Sequence, residues 1–108
     1  MVDHELNELK REFLAEARGK VSEMQTALEQ APSPDSLDRL TYLAHQLKGS
    51  GGSYGYQRIS TDAAELERAL ETVVDDGGQY SGLEAKIQQH VVNLRAEIDR
   101  CARELATV

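Results

Sequence analysis

The sequence lacks tryptophan and has a single phenylalanine and a single cysteine among its 108 residues. Its apolar residues are therefore mostly leucine, isoleucine, valine and alanine, a composition that suits packed helices better than a sandwich of aromatic-rich strands. One cysteine cannot form an intrachain disulfide. Because Cys101 is in helical phase with Leu94, Ile98 and Leu105, we expect a small buried hydrophobe rather than a reactive thiol.

Basic residues are also few, with 12 Lys and Arg against 19 Asp and Glu and a net charge of −7. This balance disfavours binding to nucleic acid and to an anionic membrane surface. No apolar run reaches the roughly 18 residues of a membrane span, and the N-terminus lacks the apolar core of a signal peptide. We therefore expect a cytoplasmic protein that binds neither nucleic acid nor membranes.

Apolar residues recur at spacings of three and four in four segments, which is typical of amphipathic helices. The first segment carries Leu6, Leu9, Phe13, Ala17, Val21, Met24 and Leu28, and the last, from about Ser81, carries Leu83, Ile87, Val91, Leu94, Ile98, Cys101 and Leu105. Gly19 interrupts the first segment and leaves room for a short extra N-terminal helix. Residues 1–108 are thus predicted to form one all-α domain, an antiparallel up-and-down four-helix bundle.

Turn and capping residues separate these segments. Ser33 as N-cap and Pro34 at the first helical position predict the start of the second helix. Gly55 fits a left-handed C-cap after it. The third helix is expected to begin near Gln57 or Ser60 and to end at the turn residues 75–78.

Residues 44–55 are the most informative stretch of the chain. The apolar stripe of their helix runs through Leu37, Leu40, Ala44, Leu47, Gly51 and Tyr54. At about 100° per residue, His45 points away from this stripe and should face solvent, with Lys48, Gly49 and Gly52 on its own side. Since a glycine inside a helix costs about 0.5–1 kcal/mol relative to alanine, these glycines predict that space is kept open around the imidazole.

The pattern from His45 to Gly55 resembles the histidine-containing phosphotransfer (HPt) family. His45 matches the phosphorylated histidine, and Lys48 matches the lysine one turn later. Gly49 matches the glycine that leaves room for the phosphoryl group, and Gly55 matches the closing glycine. The likeness continues through Ile59, Ser60 and Ala63 into residues 66–70, which look like the family's next helix.

The resemblance implies a carrier that exchanges a phosphoryl group between His45 and an aspartate of a response-regulator receiver domain. A solvated imidazole has a free nitrogen lone pair near neutral pH, and the Lys48 ammonium, three residues on, can reach the phosphoryl oxygens. The family obtains Mg²⁺ and the acceptor carboxylate from the receiver, and the phosphoryl group from a hybrid or chemotaxis-type histidine kinase. No intrinsic cofactor or metal and no dimer are expected, and the chain is interpreted as a carrier, not as an enzyme.

Further residues are assigned to the site with alternatives beside them. Some family members, notably the phosphotransfer domain of chemotaxis kinases, have a glutamate at the position of Glu67 that orients the histidine through its other ring nitrogen. The alternative is a solvated glutamate that pairs with an arginine, Arg39, Arg58 or Arg68. Tyr42, Gln46 and Ser50 flank His45 and are candidates for partner docking.

The other candidate features predict structure rather than chemistry. His90 lies at the edge of the apolar stripe of the last helix and is expected to be a partly buried structural residue. The glycine-rich run lacks the spacing of a phosphate-binding loop and ends a helix instead of following a strand, so no nucleotide site is expected. The carboxylates lack the Glu-x-x-His repeats of a di-metal bundle.

Two questions remain open from the sequence. The chain fits a stand-alone carrier and equally the excised phosphotransfer domain of a larger kinase. A helical adaptor that binds a receiver or kinase partner without being phosphorylated is the alternative function.

Overall fold

The computed structural model describes residues 2–30, 33–75 and 83–107, which form four α-helices and no strand. The helices are α1 (Val2–Glu29), α2 (Pro34–Ser53), α3 (Gln57–Asp75) and α4 (Glu84–Ala106). Each helix packs against two others, since α1 and α3 both contact α2 and α4. The arrangement is an antiparallel up-and-down four-helix bundle, as the spacing of apolar residues predicted.

The first helix is continuous, so the break at Gly19 and the short extra N-terminal helix predicted from it are wrong. Gly19 is exposed, and its cost within a helix is only about 0.5–1 kcal/mol. Ala17 and Val21 on either side of it are each 1% exposed. Burying one side chain of the size of Val21 contributes about 1.5–3 kcal/mol, which outweighs the glycine.

The N-terminal part of α1 also differs from its prediction. Leu6 and Leu9, predicted in the core, are 40% and 47% exposed, and burial on α1 begins at Phe13. The ring of Phe13 stacks on Tyr54 and Tyr56, with centroids 5.0 and 5.9 Å apart. These tyrosines belong to the connection between α2 and α3. The turns of α1 that precede Phe13 therefore lie at or beyond the level where α2 ends and α3 begins.

The core of the bundle has the predicted aliphatic composition. The buried residues of α3 and α4 include all the positions predicted for them except Leu83, which is half-buried: Ile59, Ala63, Leu66, Leu70, Val73, Ile87, Val91, Leu94, Ile98, Cys101 and Leu105. Burial raises the pKa of the Cys101 thiol to about 11. The thiol is therefore protonated near neutral pH, in agreement with a buried hydrophobe.

Both ends of α2 follow the predicted local chemistry. At its start, the Ser33 hydroxyl accepts a hydrogen bond from the backbone N–H of Ser36, and the Ser36 hydroxyl accepts one from that of Ser33. This reciprocal pair is a capping box. At its end, Gly55 has a φ of +83°, a backbone conformation that glycine adopts without strain.

The remaining boundaries are settled in part. Of the two starts predicted for α3, Gln57 is correct. This helix ends at Asp75, and α4 begins at Glu84. The rest of the predicted turn, residues 76–78, and the predicted start of the last helix at Ser81 lie outside the described residues.

Candidate functional site

His45 lies on the outer surface of α2, where the helical phase predicted it. Its side chain is 64% exposed, while Ala44 and Leu47 beside it are fully buried. The hydrophobic stripe thus fixes the rotation of α2 about its axis. The imidazole is left accessible to a partner.

Glu67 of α3 joins His45 to Lys48. Its Oε2 lies 2.8 Å from Nδ1 of His45, and its Oε1 accepts a hydrogen bond of 2.8 Å from Nζ of Lys48. The Glu67 side chain is only 12% exposed, whereas that of Lys48 is 38% exposed. One partly buried carboxylate therefore holds two side chains of the neighbouring helix, which lie one turn apart.

The charge on Glu67 decides which nitrogen of His45 carries a proton. Hydrogen bonding to the Lys48 ammonium holds the pKa of the Glu67 carboxyl below its ordinary value, burial opposes this, and the bond to His45 lowers the pKa further. Glu67 is therefore ionised at neutral pH and can only accept. The proton of the contact belongs to Nδ1 of His45, so that in the neutral imidazole Nε2 is the nitrogen with the lone pair.

Only one of the two sequence-based interpretations of Glu67 matches this geometry. None of the arginines considered as partners contacts it among the described residues, and Arg39 pairs instead with Glu23 of α1. The contact between Glu67 and Lys48 was not predicted. The signal for it was opposite charge on two helices that must pack together, but the sequence does not fix the register between α2 and α3.

The glycines near His45 fall into two groups. A Cβ added at Gly49 would meet no atom within 4 Å, and one at Gly52 would meet only the Ser60 hydroxyl, at the ordinary distance of 3.6 Å. In contrast, a Cβ at Gly51 would lie 3.1 Å from the backbone nitrogen of Ser60. Packing between α2 and α3 therefore favours glycine at position 51. No described neighbour requires it at 49.

Ser60, the later of the two expected starts of α3, lies inside the helix. Its hydroxyl donates a hydrogen bond of 2.8 Å to the carbonyl oxygen of Lys48. Glu67 follows seven residues later, on the same face of α3. The hydrogen bond from Ser60 thus connects α3 to the backbone of Lys48, the residue whose side chain is bound by Glu67.

The chain matches a known protein family. The model of the Hpt domain family matches residues 8–104. The chain belongs to the Hpt domain family. No curated protein and no solved structure matched the sequence. Hpt domains are phosphotransfer carriers rather than kinases, and they interact with response regulators and histidine kinases in phosphorelays.

The three residues considered for docking lie along the same helix of this Hpt domain. Tyr42 is 52% exposed, and its hydroxyl accepts a hydrogen bond of 2.7 Å from Nε2 of Gln46. The guanidinium of Arg39 lies over the Tyr42 ring, 5.6 Å from its centroid. Ser50 is half-buried. Tyr42 and Gln46 therefore form a connected polar and aromatic surface next to His45.

Within residues 2–30, 33–75 and 83–107, no group of three or more His, Cys, Asp and Glu side chains is arranged to hold a metal ion. None of the four helices described here is long and apolar enough to cross a bilayer.

Proposed function

We propose that this Hpt domain carries a phosphoryl group on Nε2 of His45 and exchanges it reversibly with an aspartate of a response-regulator receiver domain. The observation that supports this most is the contact between Nδ1 of His45 and the ionised carboxylate of Glu67, at 2.8 Å. In the neutral form of this exposed imidazole, the contact places the proton on Nδ1 and leaves the lone pair on Nε2. That nitrogen can act as a nucleophile toward phosphorus without a separate base.

The transfer step balances without any proton transfer. The lone pair of His45 Nε2 attacks the phosphorus of the receiver's aspartyl phosphate, and a nitrogen–phosphorus bond forms while the bond between phosphorus and the aspartyl oxygen breaks. The aspartate leaves as a carboxylate. The imidazole becomes a cation with its proton still on Nδ1, and Glu67 stabilises that cation at hydrogen-bond distance. The reverse step returns the phosphoryl group to an aspartate.

Lys48 neutralises charge on the phosphoryl group. Before transfer, its ammonium is held beside His45 by Glu67. A lysine side chain is flexible and has three rotatable donors, so it can turn to the phosphoryl oxygens when they arrive one helical turn away. Because Gly49 and Gly52 have no side chains, a receiver domain can approach the imidazole closely on this side of α2.

The partner completes the site in this proposal. In-line phosphoryl transfer needs cations that neutralise the transferred group, and we assign Mg²⁺ to the receiver domain, beside its aspartate. Tyr42, Gln46 and Ser50 form the docking surface around His45. The group enters the relay from a histidine kinase, and the exchange takes place in the cytoplasm with the carrier as a monomer.

The direct test is to mix the protein with a phosphorylated receiver and to follow the label on each chain. We expect label on the wild-type protein that is stable to base and labile to acid, as a phosphohistidine is. His45→Gln should abolish it. His4→Gln removes another exposed histidine and serves as the matched control that keeps the label.

Label that persists in His45→Gln would overturn the assignment of the phosphorylated residue. Receiver binding by both proteins without any label on the wild type would instead indicate an adaptor.

A further inference from the structure

A groove of about 460 Å³ lies between α3 and α4, whereas the His45 site lies between α2 and α3. Its volume falls within the range of about 300–1,000 Å³ that is typical of small-molecule sites. Its polar side chains come from one face of each helix: Glu65, Arg68 and Thr72 of α3, and Lys86 and His90 of α4. The spacing of three and four residues within each set places them side by side.

His90 lines this groove, and its ring nitrogens are covered and unsatisfied by the described chain. Its side chain is only 12% exposed, and neither ring nitrogen has a hydrogen-bond partner among the described residues. The nearest carboxylate oxygen, Oε2 of Glu65, lies 3.9 Å from Nδ1, which is too long for a hydrogen bond. A buried polar group without a partner destabilises the folded state. A partner from outside the chain would remove that cost.

The charge of the groove indicates the sign of that partner. Arg68 and Lys86 are exposed, and neither forms an ion pair with another described residue. Among the described lining residues, Glu65 is the only carboxylate, so this lining is locally positive on a chain of net charge −7. The planar guanidinium and the ammonium are the two side-chain cations that bind phosphate oxygens best.

We propose that this groove binds the phosphate group of a small ligand. Arg68 and Lys86 contact the phosphate oxygens, and a ring N–H of His90 donates to one of them. The groove is larger than a phosphate group, which leaves space for an organic part whose hydroxyl can donate to Glu65. The ring nitrogens are covered without ligand, but the side chains at the rim are long and exposed and can rotate aside.

The test is a titration of isotope-labelled protein followed by NMR, with glycerol 3-phosphate, inorganic phosphate and glycerol as probes. Chloride keeps the ionic strength constant. We expect saturable shifts of the His90 ring and of the Thr72 amide with the two phosphates and none with glycerol. Tighter binding of glycerol 3-phosphate would identify a phosphorylated small molecule as the ligand, and equal binding would identify the inorganic ion. Shifts that do not saturate would overturn the proposal.

Substitutions of exposed cations separate a specific site from general charge effects. Arg68→Gln and Lys86→Gln should each weaken phosphate binding by about tenfold, the loss of one charge-assisted hydrogen bond. Arg95→Gln makes the same charge change at an exposed position of α4 outside the groove and should leave the affinity unchanged. Equal weakening by Arg95→Gln would overturn the proposal. Binding should persist in His45→Gln, so this result does not depend on phosphotransfer.

Discussion

Gly49 and Gly51 lie two residues apart on α2, and they are glycine for opposite reasons. Gly51 belongs to the inward face, where a Cβ would press on the backbone of Ser60, while a Cβ at Gly49 would point into open space. The fold therefore explains Gly51 and does not explain Gly49. Helix propensity disfavours both residues, and the open space at Gly49 agrees with our proposal that a partner approaches His45 there.

The same contrast holds for the two faces of the helix as a whole. The inward face consists of Leu37, Leu40, Leu43, Ala44, Leu47 and Gly51, all of them buried. The outward face consists of His45, Lys48, Gly49 and Gly52, with Glu67 of α3 bound to it. Substitutions on the outward face should change phosphoryl transfer, and substitutions on the inward face should change stability.

The largest effect on transfer short of losing His45 is expected from Glu67→Gln. The glutamine side chain can donate a hydrogen bond to Nδ1 and so favours the tautomer with the proton on Nε2, which blocks the nucleophile. We expect the rate of transfer from a phosphorylated receiver to fall by about 10- to 100-fold, the usual cost of removing a carboxylate that orients a histidine. Rapid-quench measurement of labelled protein gives this rate.

Glu71→Gln is the matched control for that change. Glu71 is exposed and lies one turn later on the same helix, so its substitution should leave the transfer rate unchanged. Equal rates for Glu67→Gln and the wild type would show that the tautomer of His45 does not limit transfer.

Gly49→Ala should separate function from stability most clearly. The protein should become more stable by about 0.5–1 kcal/mol, because alanine is the better helix former and meets no neighbour. Transfer should slow by about tenfold, since a methyl group one turn from the imidazole displaces the approaching receiver. Urea denaturation measures the first effect, and the transfer assay measures the second.

Gly19→Ala makes the same exchange in α1 and also meets no neighbour. It should raise the stability equally and leave transfer unchanged. A Gly49→Ala protein with wild-type transfer would mean that the space above Gly49 is not used.

Gly51→Ala should act on stability in the opposite direction. The methyl group would contact the backbone nitrogen of Ser60. The N–H of Ser60 donates a hydrogen bond to the carbonyl of Tyr56, and the N–H of Tyr56 donates one to the carbonyl of Gly51, so this backbone is held in place. Overpacking of about 1–3 kcal/mol therefore exceeds the gain in helix propensity. We expect a net loss of about 1 kcal/mol in the free energy of unfolding. A stability gain as large as that of Gly49→Ala would contradict the distinction between the two glycines.

The smallest expected effect is the dependence of the free energy of unfolding on pH that Glu67 causes. Because the pKa of its carboxyl is lower in the folded state than the ordinary value of 4.5, its ionised form stabilises the fold. This contribution is complete above pH 4.5 and is lost as the pH falls through the folded value. The stability difference between wild type and Glu67→Gln should therefore shrink in acid. Lys48→Met should reduce this dependence, since Lys48 is the main cause of the shift.

Much of the fold could be predicted because it depends on local patterns. The apolar spacing of α3 and α4, the capping residues Ser33 and Pro34, and the turn at Gly55 all act within a few residues of the chain. The predictions of burial failed where burial depends on whether another part of the chain packs against a helix. Leu6 and Leu9 have the spacing of core residues, but they lie before the level at which burial on α1 begins and are exposed.

The site could be predicted in part for the same reason. The exposure of His45 follows from the phase of one helix, and the family resemblance supplied Glu67. The bond from Ser60 to the Lys48 carbonyl and the close approach at Gly51 depend on the register between two helices. That register is set by tertiary packing, which the sequence pattern does not encode.

The central claim is that Glu67 keeps the proton of His45 on Nδ1 and thereby directs phosphorylation to Nε2. NMR of ¹⁵N-histidine-labelled protein tests it directly, since ring nitrogen shifts report the tautomer and coupling to ³¹P reports the phosphorylated nitrogen. We predict a proton on Nδ1 before transfer and phosphorus on Nε2 after it. Phosphorus on Nδ1 of His45 would contradict the account.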